Sequence, residues 1–172
     1  MTEQSRIEMA PEQGVDGDTF RKVMRSLAGT VTVISTENQG ALYGFTATAV
    51  CSVCADPPTL LIAVNRSTRT YPHIANKSAF TVNVIAADQR DVAERFGTKA
   101  DDVFASVPHR LTDKGVPVIT NAAAAMVCTV SQVMDVGTHT IFFGRIEQTE
   151  ISGKPPLVYY DGCYGAVSLM AG

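Results

Sequence analysis

The chain has 172 residues, 45% hydrophobic and 18% charged, which suits one domain with a real core and excludes a disordered protein. A net charge of −3, from 14 basic and 17 acidic residues, excludes a general electrostatic attraction to nucleic acid. No run reaches the apolar length of a membrane span, and the polar, acid-bearing start lacks the regions of a signal peptide, so the expectation is a cytoplasmic protein.

Residues 1–17 read as a flexible arm and 18–172 as the domain. Asp18 is the expected N-cap of a first helix, Thr19 to Ala28, with Phe20, Val23, Met24 and Leu27 on one face and Gly29 as its stop. Val31 to Thr36 reads as a strand, Glu37-Asn38-Gln39-Gly40 as a turn, and Ala41 to Val53 as a second extended stretch. Asp56-Pro57-Pro58 ends it, because proline cannot donate to a ladder. Thr59 to Asn65 is a short buried-type strand, followed by the basic, hydroxyl-rich Arg66 to Thr70 and a helical turn over Tyr71 to Asn76. Phe80 to Ile85 is a further strand. Asp88 is the expected cap of a second helix, Gln89 to Phe96, closed by Gly97. The stretch Thr98 to Thr120 is loop-rich, with a short helix over Asp101 to Ser106. Met126 to Met134, His139 to Ile151, Leu157 to Tyr160 and Tyr164 to Leu169 are the last strands, and Gly137 marks the turn between the first two of these.

That makes about eight strands and two solid helices. Strands at short spacing point to an antiparallel barrel or sandwich, mainly β with a few helices. They do not alternate with helices, and no G-x-G-x-x-G or P-loop is present, which argues against a Rossmann sheet. Cys51 and Cys54 form a C-x-x-C. They sit on a strand-like stretch, where residues three apart point to opposite faces, and no second ligand pair accompanies them. A buried structural role is therefore expected, and no metal.

Five segments carry possible chemistry. In Gly44-Phe45-Thr46-Ala47-Thr48-Ala49, alternation puts Thr46 and Thr48 on one strand face and Ala47 and Ala49 on the other. Small residues let a flat ring approach the backbone, although an ordinary strand has the same pattern. In Asn65-Arg66-Ser67-Thr68-Arg69-Thr70, the arginine forks suit phosphate oxygens. Arg95-Phe96 closes the second helix, where a cation is also favoured for structural reasons. In Gly137-Thr138-His139-Thr140, a histidine at the start of a strand can face a cleft or serve the fold. Pro155 to Gly162 pairs a rigid start with Tyr159 and Tyr160, which point opposite ways. No G-x-S-x-G elbow and no H-E-x-x-H occurs, so hydrolase and zinc-protease readings fail.

Taken in order, these landmarks resemble the small flavin reductases that serve two-component flavin-dependent monooxygenases. The match runs from Ala28-Gly29 and Val31-Thr32-Val33-Ile34, through Gly44 to Val53 and Asp56-Pro57-Pro58, then Asn65 with Ser67, Val82-Asn83-Val84, Arg95-Phe96, Gly137-Thr138-His139 and Leu157 to Tyr160. It covers roughly residues 18 to 168. The resemblance implies an antiparallel Greek-key split β-barrel of the FMN-binding type, a homodimer with flavin sites near its interface, and hydride transfer from NADH or NADPH to FAD or FMN. It implies reduced flavin that diffuses to a separate monooxygenase. It places Gly44, Phe45, Thr46, Ala47, Thr48, Ala49, Ala63, Val64, Asn65, Ser67, Arg69, Thr70, Arg95 and Phe96 at the flavin, with Arg69 and Arg95 at its phosphates. It places His139 near the nicotinamide as a positioning group, with Pro156, Tyr159, Tyr160 and Asp161 on the same side. Many relatives carry Asn and Ser where this chain has Thr48 and Ala49, so one hydroxyl is missing from that wall. The competing readings are a flavoprotein with fixed FMN reducing another acceptor, a non-catalytic flavin- or haem-binding carrier on the same barrel, and a purely structural dimeric barrel.

Overall fold

The computed structural model describes residues 14–170, so most of the arm predicted over 1–17 lies outside the described residues. The first helix, α1 (Gly17–Arg25), starts and ends earlier than expected. Asp16, not Asp18, is its cap: one carboxylate oxygen accepts from the backbone N–H groups of Asp18 and Thr19, at 2.9 Å each. The bonds from Thr19 and Asp18 hold the Asp16 carboxyl below the usual range. Asp18 sits in the first turn and pairs with Arg21. The helix stops at Ser26, and Gly29 opens a strand rather than capping the helix. Phe20, Val23 and Met24 lie on α1 and Leu27 just beyond its end; no described residue buries them, and they are 55%, 60%, 43% and 61% exposed.

Twelve strands and two more helices follow among the described residues. They run β1 (Gly29–Thr30), β2 (Thr32–Asn38), β3 (Ala41–Ala47), β4 (Val50–Ala55), β5 (Pro58–Asn65), α2 (Tyr71–Lys77), β6 (Ala79–Val84) and α3 (Arg90–Phe96). Then come β7 (His109–Leu111), β8 (Pro117–Ile119), β9 (Ala124–Val136), β10 (His139–Ile151), β11 (Leu157–Tyr160) and β12 (Cys163–Ala166). Gln89, not Asp88, precedes α3, and Asp88 instead pairs with Lys154 at 2.8 Å. The helix expected over Asp101 to Ser106 is a run of turns whose Val103, Phe104 and Val107 pack against α3.

Seven strands form one antiparallel sheet in the order β3-β2-β6-β9-β10-β5-β4. Its two edge strands are consecutive in the chain. What the sequence presents as one extended stretch, Ala41 to Val53, is therefore two strands broken at Thr48-Ala49, where the chain passes from one edge to the other. The Ala63 N–H donates to the Ala49 carbonyl at 3.2 Å and ties this crossing to β5. Closure gives every strand of the sheet a share in one interior. Ile34, Leu60, Ile62, Val64, Phe80, Val82, Cys128 and Phe142 fill it, with Phe45, Ala47 and Val50 against them. This is the antiparallel barrel that strand spacing suggested.

Strand β2 is buried on both faces. Ile34 points into the barrel, while Val33 joins Val92, Ala93 and Phe96 of α3 in a second core outside it. Asn83, fully buried on β6, donates to the Val33 carbonyl and to Ser35 at 3.0 Å each and accepts from the Ile119 N–H at 2.8 Å. It fastens the small β7-β8 sheet to the barrel wall. Strand β11 pairs with β1 and β12, which sets the segment after Pro156 beside the end of α1.

The expectation for Cys51 and Cys54 fails twice. Both are exposed, as is Cys163, whereas Cys128 is buried and its thiol is pushed up to about 12 by desolvation. A bulge between Ser52 and Cys54 adds one residue to β4, so Cys51 lies opposite Leu61 and Cys54 opposite Thr59. Those partners are two apart on β5, which puts both thiols on the same outer face.

Candidate active site

The alternation of β3 sorts its side chains cleanly. Phe45 and Ala47 face the barrel interior, and Gly44 and Thr46 face α3. The Thr46 hydroxyl donates to the Ala93 carbonyl at 2.6 Å and fixes the helix against the strand. Gly44 is required by the fit: a Cβ there would lie 2.6 Å from a ring carbon of Phe96. The missing side chain lets the Phe96 ring pack directly on the strand, and Phe104 packs edge-on against Phe96, with ring centres 4.8 Å apart.

Beside this contact lies a cleft of about 540 Å³, lined by residues of β3, the Ser67–Thr70 segment and the stretch from Phe96 to Asp101. That volume is in the range of cofactor sites. Seven of the expected residues line it: Gly44, Phe45, Thr46, Ser67, Arg69, Thr70 and Phe96. Asn65 organises its rim, its side-chain oxygen accepting from the Ser67 N–H and hydroxyl, both at 2.9 Å. Arg69 reaches across to Asp101, bonding its carboxylate at 2.7 Å and its carbonyl at 2.5 Å, and stays half-exposed. Arg95 is differently engaged: its guanidinium donates to the carbonyls of Val103 and Asp102 at 2.7 and 2.8 Å and holds the 102–103 turn.

The other expected residues lie elsewhere. Thr48 lines a hollow below α1 with Phe20, Met24, Tyr159 and Asp161, and Thr48 and Ala49 line a larger one with Leu27, Val50 and Met126. Gly29 permits this approach, since a Cβ there would sit 2.9 Å from the Thr48 Cβ. Thr46 and Thr48 thus face different cavities, because the strand breaks between them. Ala63 and Asn65 point away from the barrel interior, whereas Val64 is fully buried inside it and offers a ligand only its backbone. His139 lies directly across the ladder from Asn65, exposed, its Nδ1 3.0 Å from the Thr138 hydroxyl. Arg66 donates to the Gly137 carbonyl and pairs with Asp135, which steadies the turn before His139. Pro156 bridges Ala86, and Tyr160 is exposed on β11.

Several cleft residues were not anticipated. Tyr43 lines the cleft, and its ring stacks on His73 of α2 with centres 3.5 Å apart and planes 11° apart. The Thr98, Lys99 and Asp101 wall follows Arg95-Phe96 directly in the chain, and that adjacency was the only available signal. The cleft therefore presents a flat aromatic side, hydroxyls, two cations and backbone edges. These suit a planar ring that carries a phosphate.

A family model described as a flavin reductase like domain matches residues 24–168. An FMN reductase (NADH) RutF from Pseudomonas syringae pv. syringae is 38% identical over 157 residues, covering 90% of this chain and 88% of that one. Among solved structures, a homologue of nitrilotriacetate monooxygenase component B from Mycobacterium thermoresistibile is 31% identical, with TM-score 0.84, covering 88% and 86% of the two chains. The Streptomyces globisporus NADH:FAD oxidoreductase SgcE6, in complex with NAD and FAD fragments, is 26% identical, with TM-score 0.86, covering 91% and 96%. The fold and the cleft thus define an oxidoreductase of the split-barrel class. The chain belongs to the flavin reductase-like family.

Proposed function

We propose that this protein reduces free flavin with a nicotinamide nucleotide and releases the product to a separate flavin-dependent monooxygenase. The observation that carries the reading is the cleft at Gly44 and Phe96, in a chain whose family match spans nearly the whole barrel. Support for an oxygenase partner comes from the relatives, one of which is a homologue of a monooxygenase component. No helix among the described residues is long and apolar enough to cross a membrane. In this proposal the protein is cytoplasmic, residues 18–172 form one catalytic domain, and two copies make a homodimer. The uncovered apolar face of α1, beside the hollows at Thr48, supports the dimer.

The nicotinamide supplies a hydride that the flavin ring accepts, chemistry that belongs to the cofactors. The protein's part is position and electrostatics. Phe96, seated on Gly44, and the backbone from Thr46 to Ala49 give a flat ring a side to lie against. Ser67 and Arg69 hold a phosphate, and Arg95 shapes the wall by holding the 102–103 turn, its own phosphate contact requiring exchange of those bonds. His139, fixed beside Asn65, orients the nicotinamide, and Tyr159, Tyr160 and Asp161 close that side. No side chain acts as a nucleophile.

The test is a steady-state assay crossing NADH and NADPH with FAD, FMN and riboflavin. At least one pair is expected to turn over many times, with flavin lost on gel filtration. Failure of every pair overturns the reading, and flavin retained through gel filtration favours a fixed FMN instead. His139→Ala is expected to raise KM for the nicotinamide more than it lowers kcat.

A further inference from the structure

The segment that carries Ser67, Arg69 and Thr70 into the cleft is pinned at both ends to the hairpin that carries His139. At its start, the Arg66 N–H donates to the Thr138 carbonyl at 3.0 Å. The Arg66 guanidinium donates to the Gly137 carbonyl and pairs with Asp135 at 3.5 Å, so Arg66 serves the hairpin rather than the cleft. At its end, Tyr71 opens α2 and brings its hydroxyl 3.4 Å from that of Thr140. The Thr140 hydroxyl donates to Asp135 at 2.6 Å. With its one proton committed there, Thr140 takes the Tyr71 hydroxyl as a donor. Both pins therefore end on one carboxylate. One oxygen of Asp135 serves Arg66 and the other serves Thr140.

The network lies on the reverse side of His139. Thr140 stands opposite Asp135 on β9 and opposite the buried Val64 on β5. Alternation along β10 puts it on the barrel side with Phe142, and His139 on the other side. Asp135 thus reaches His139 through the backbone. Thr138, whose carbonyl Arg66 holds, sets its hydroxyl 3.0 Å from His139 Nδ1 and leaves Nε2 to meet a ligand. The two bonds of Asp135 differ in weight. Its pair with Arg66 is exposed, and charge alone contributes little there. Thr140 is fully buried, so losing its acceptor is the costlier change.

We propose that Asp135 is a positioning residue. By tying Thr140 and Arg66 together, it sets His139 in register with the Ser67–Thr70 segment, and so the nicotinamide against the flavin. The proposal rests on the reductase reading, in which His139 orients the nicotinamide and the segment holds a flavin phosphate. Asp135 touches neither ligand.

The test has a kinetic arm and a spectroscopic arm. Asp135→Ala is expected to raise KM for the nicotinamide nucleotide roughly three- to tenfold, with a smaller change in kcat. Asp135→Asn keeps an oxygen for Thr140 and is expected to recover most of that loss. In a His139→Ala background, Asp135→Ala is expected to change KM no further, because the residue acts through His139. The same factor in both backgrounds overturns the proposal, as does wild-type KM in folded Asp135→Ala. The spectroscopic arm follows the ring carbon–proton resonances of ¹³C-labelled histidine by NMR, with His139 assigned from its alanine variant. Asp135→Ala is expected to shift His139 while His73 and His109 stay in place. An unmoved His139 overturns the proposal, and equal shifts of all three reduce Asp135 to a general structural role and overturn it too. Should Asp135→Ala fail to fold, Thr140→Val gives the same reading with Asp135 intact. This arm needs no turnover. A wild type that reduces no flavin would overturn the reductase reading, while the His139 shift would still decide whether Asp135 positions that ring.

Discussion

The two ends of β3 are built differently. At Gly44 and Thr46 the chain closes its own site: α3 lies against the strand, the Thr46 hydroxyl is bonded to Ala93, and Phe96 fills the space a side chain would take. Two residues later, at Thr48 and Ala49, the strand has ended, and the hollows there are walled partly by exposed apolar residues of α1. One end needs nothing further to be a binding surface. The other presents the kind of contiguous apolar face that marks an interaction site. A segment that reads as one uniform wall in the sequence is two half-sites, one complete within the chain and one awaiting a partner copy in our reading.

The largest effect is expected at the closed end. Gly44→Val would drive its Cβ into the Phe96 ring, and overpacking of this kind costs about 1–3 kcal/mol. Flavin affinity, read by fluorescence titration, is expected to fall at least ~10-fold, because Phe96 and the cleft wall must move together. Unchanged affinity in a folded Gly44→Val protein would show that flavin does not use this cleft. The next effect belongs to the open end. Met24→Asp with Leu27→Asp puts two charges on the exposed apolar patch at the end of α1, and sedimentation velocity is expected to show a dimer becoming a monomer. The Phe96 cleft is expected to survive in that monomer, with weaker flavin binding than the wild type. A variant that dimerises as before would place the interface elsewhere.

The barrel was legible in the sequence wherever strands alternated and turns were marked by Gly or Pro: β5, β6, β10 and β11 fall close to their expected bounds. The break at Thr48-Ala49 was not legible, because nothing local distinguishes a strand that continues from one that crosses between sheet edges. That closure depends on pairings made by β5 and β2, each with its own edge. The bulge in β4 was hidden for the same reason, and with it the shared face of Cys51 and Cys54. Asp18 lost the cap to Asp16 because both precede an apolar-periodic run and only the loop path decides between them. At the site, residue types pointed to the cleft, but engagement did not follow from type. Arg95 and Arg69 look alike in the sequence, and the partners they meet, the 102–103 carbonyls and Asp101, come from a loop whose fold no periodicity reveals.

A paired substitution sharpens the contrast between the two threonines. Thr46→Val leaves the Ala93 carbonyl without its hydroxyl donor, and a loss of about 1–3 kcal/mol in urea unfolding is expected. Thr48→Val, at an exposed position, is expected to stay within ~0.5 kcal/mol. If Thr48 contacts flavin as we propose, its variant weakens flavin binding without weakening the fold; unchanged affinity would remove Thr48 from the site.

The smallest effect concerns the wall of the cleft. His73 stacks on Tyr43, and its Nδ1 lies 3.0 Å from the Asn38 amide nitrogen, so it acts there as an acceptor and carries no proton. Desolvation, and then the nearby Arg69 charge, hold its pKa below the ordinary 6.5. The folded protein therefore binds fewer protons at this position than the unfolded chain, and stability rises with pH through that window. The contribution is complete above pH ~6.5 and is lost as pH falls through the lower native value. Protonation would also set two donors face to face at Asn38 and add a cation near Arg69, loosening the Tyr43 side of the cleft. A shallow fall in Tm is expected on lowering the pH from 7 to 5, and His73→Phe, which keeps a ring against Tyr43, is expected to flatten it. An identical slope in that variant would show that the wall at Tyr43 does not sense pH through His73.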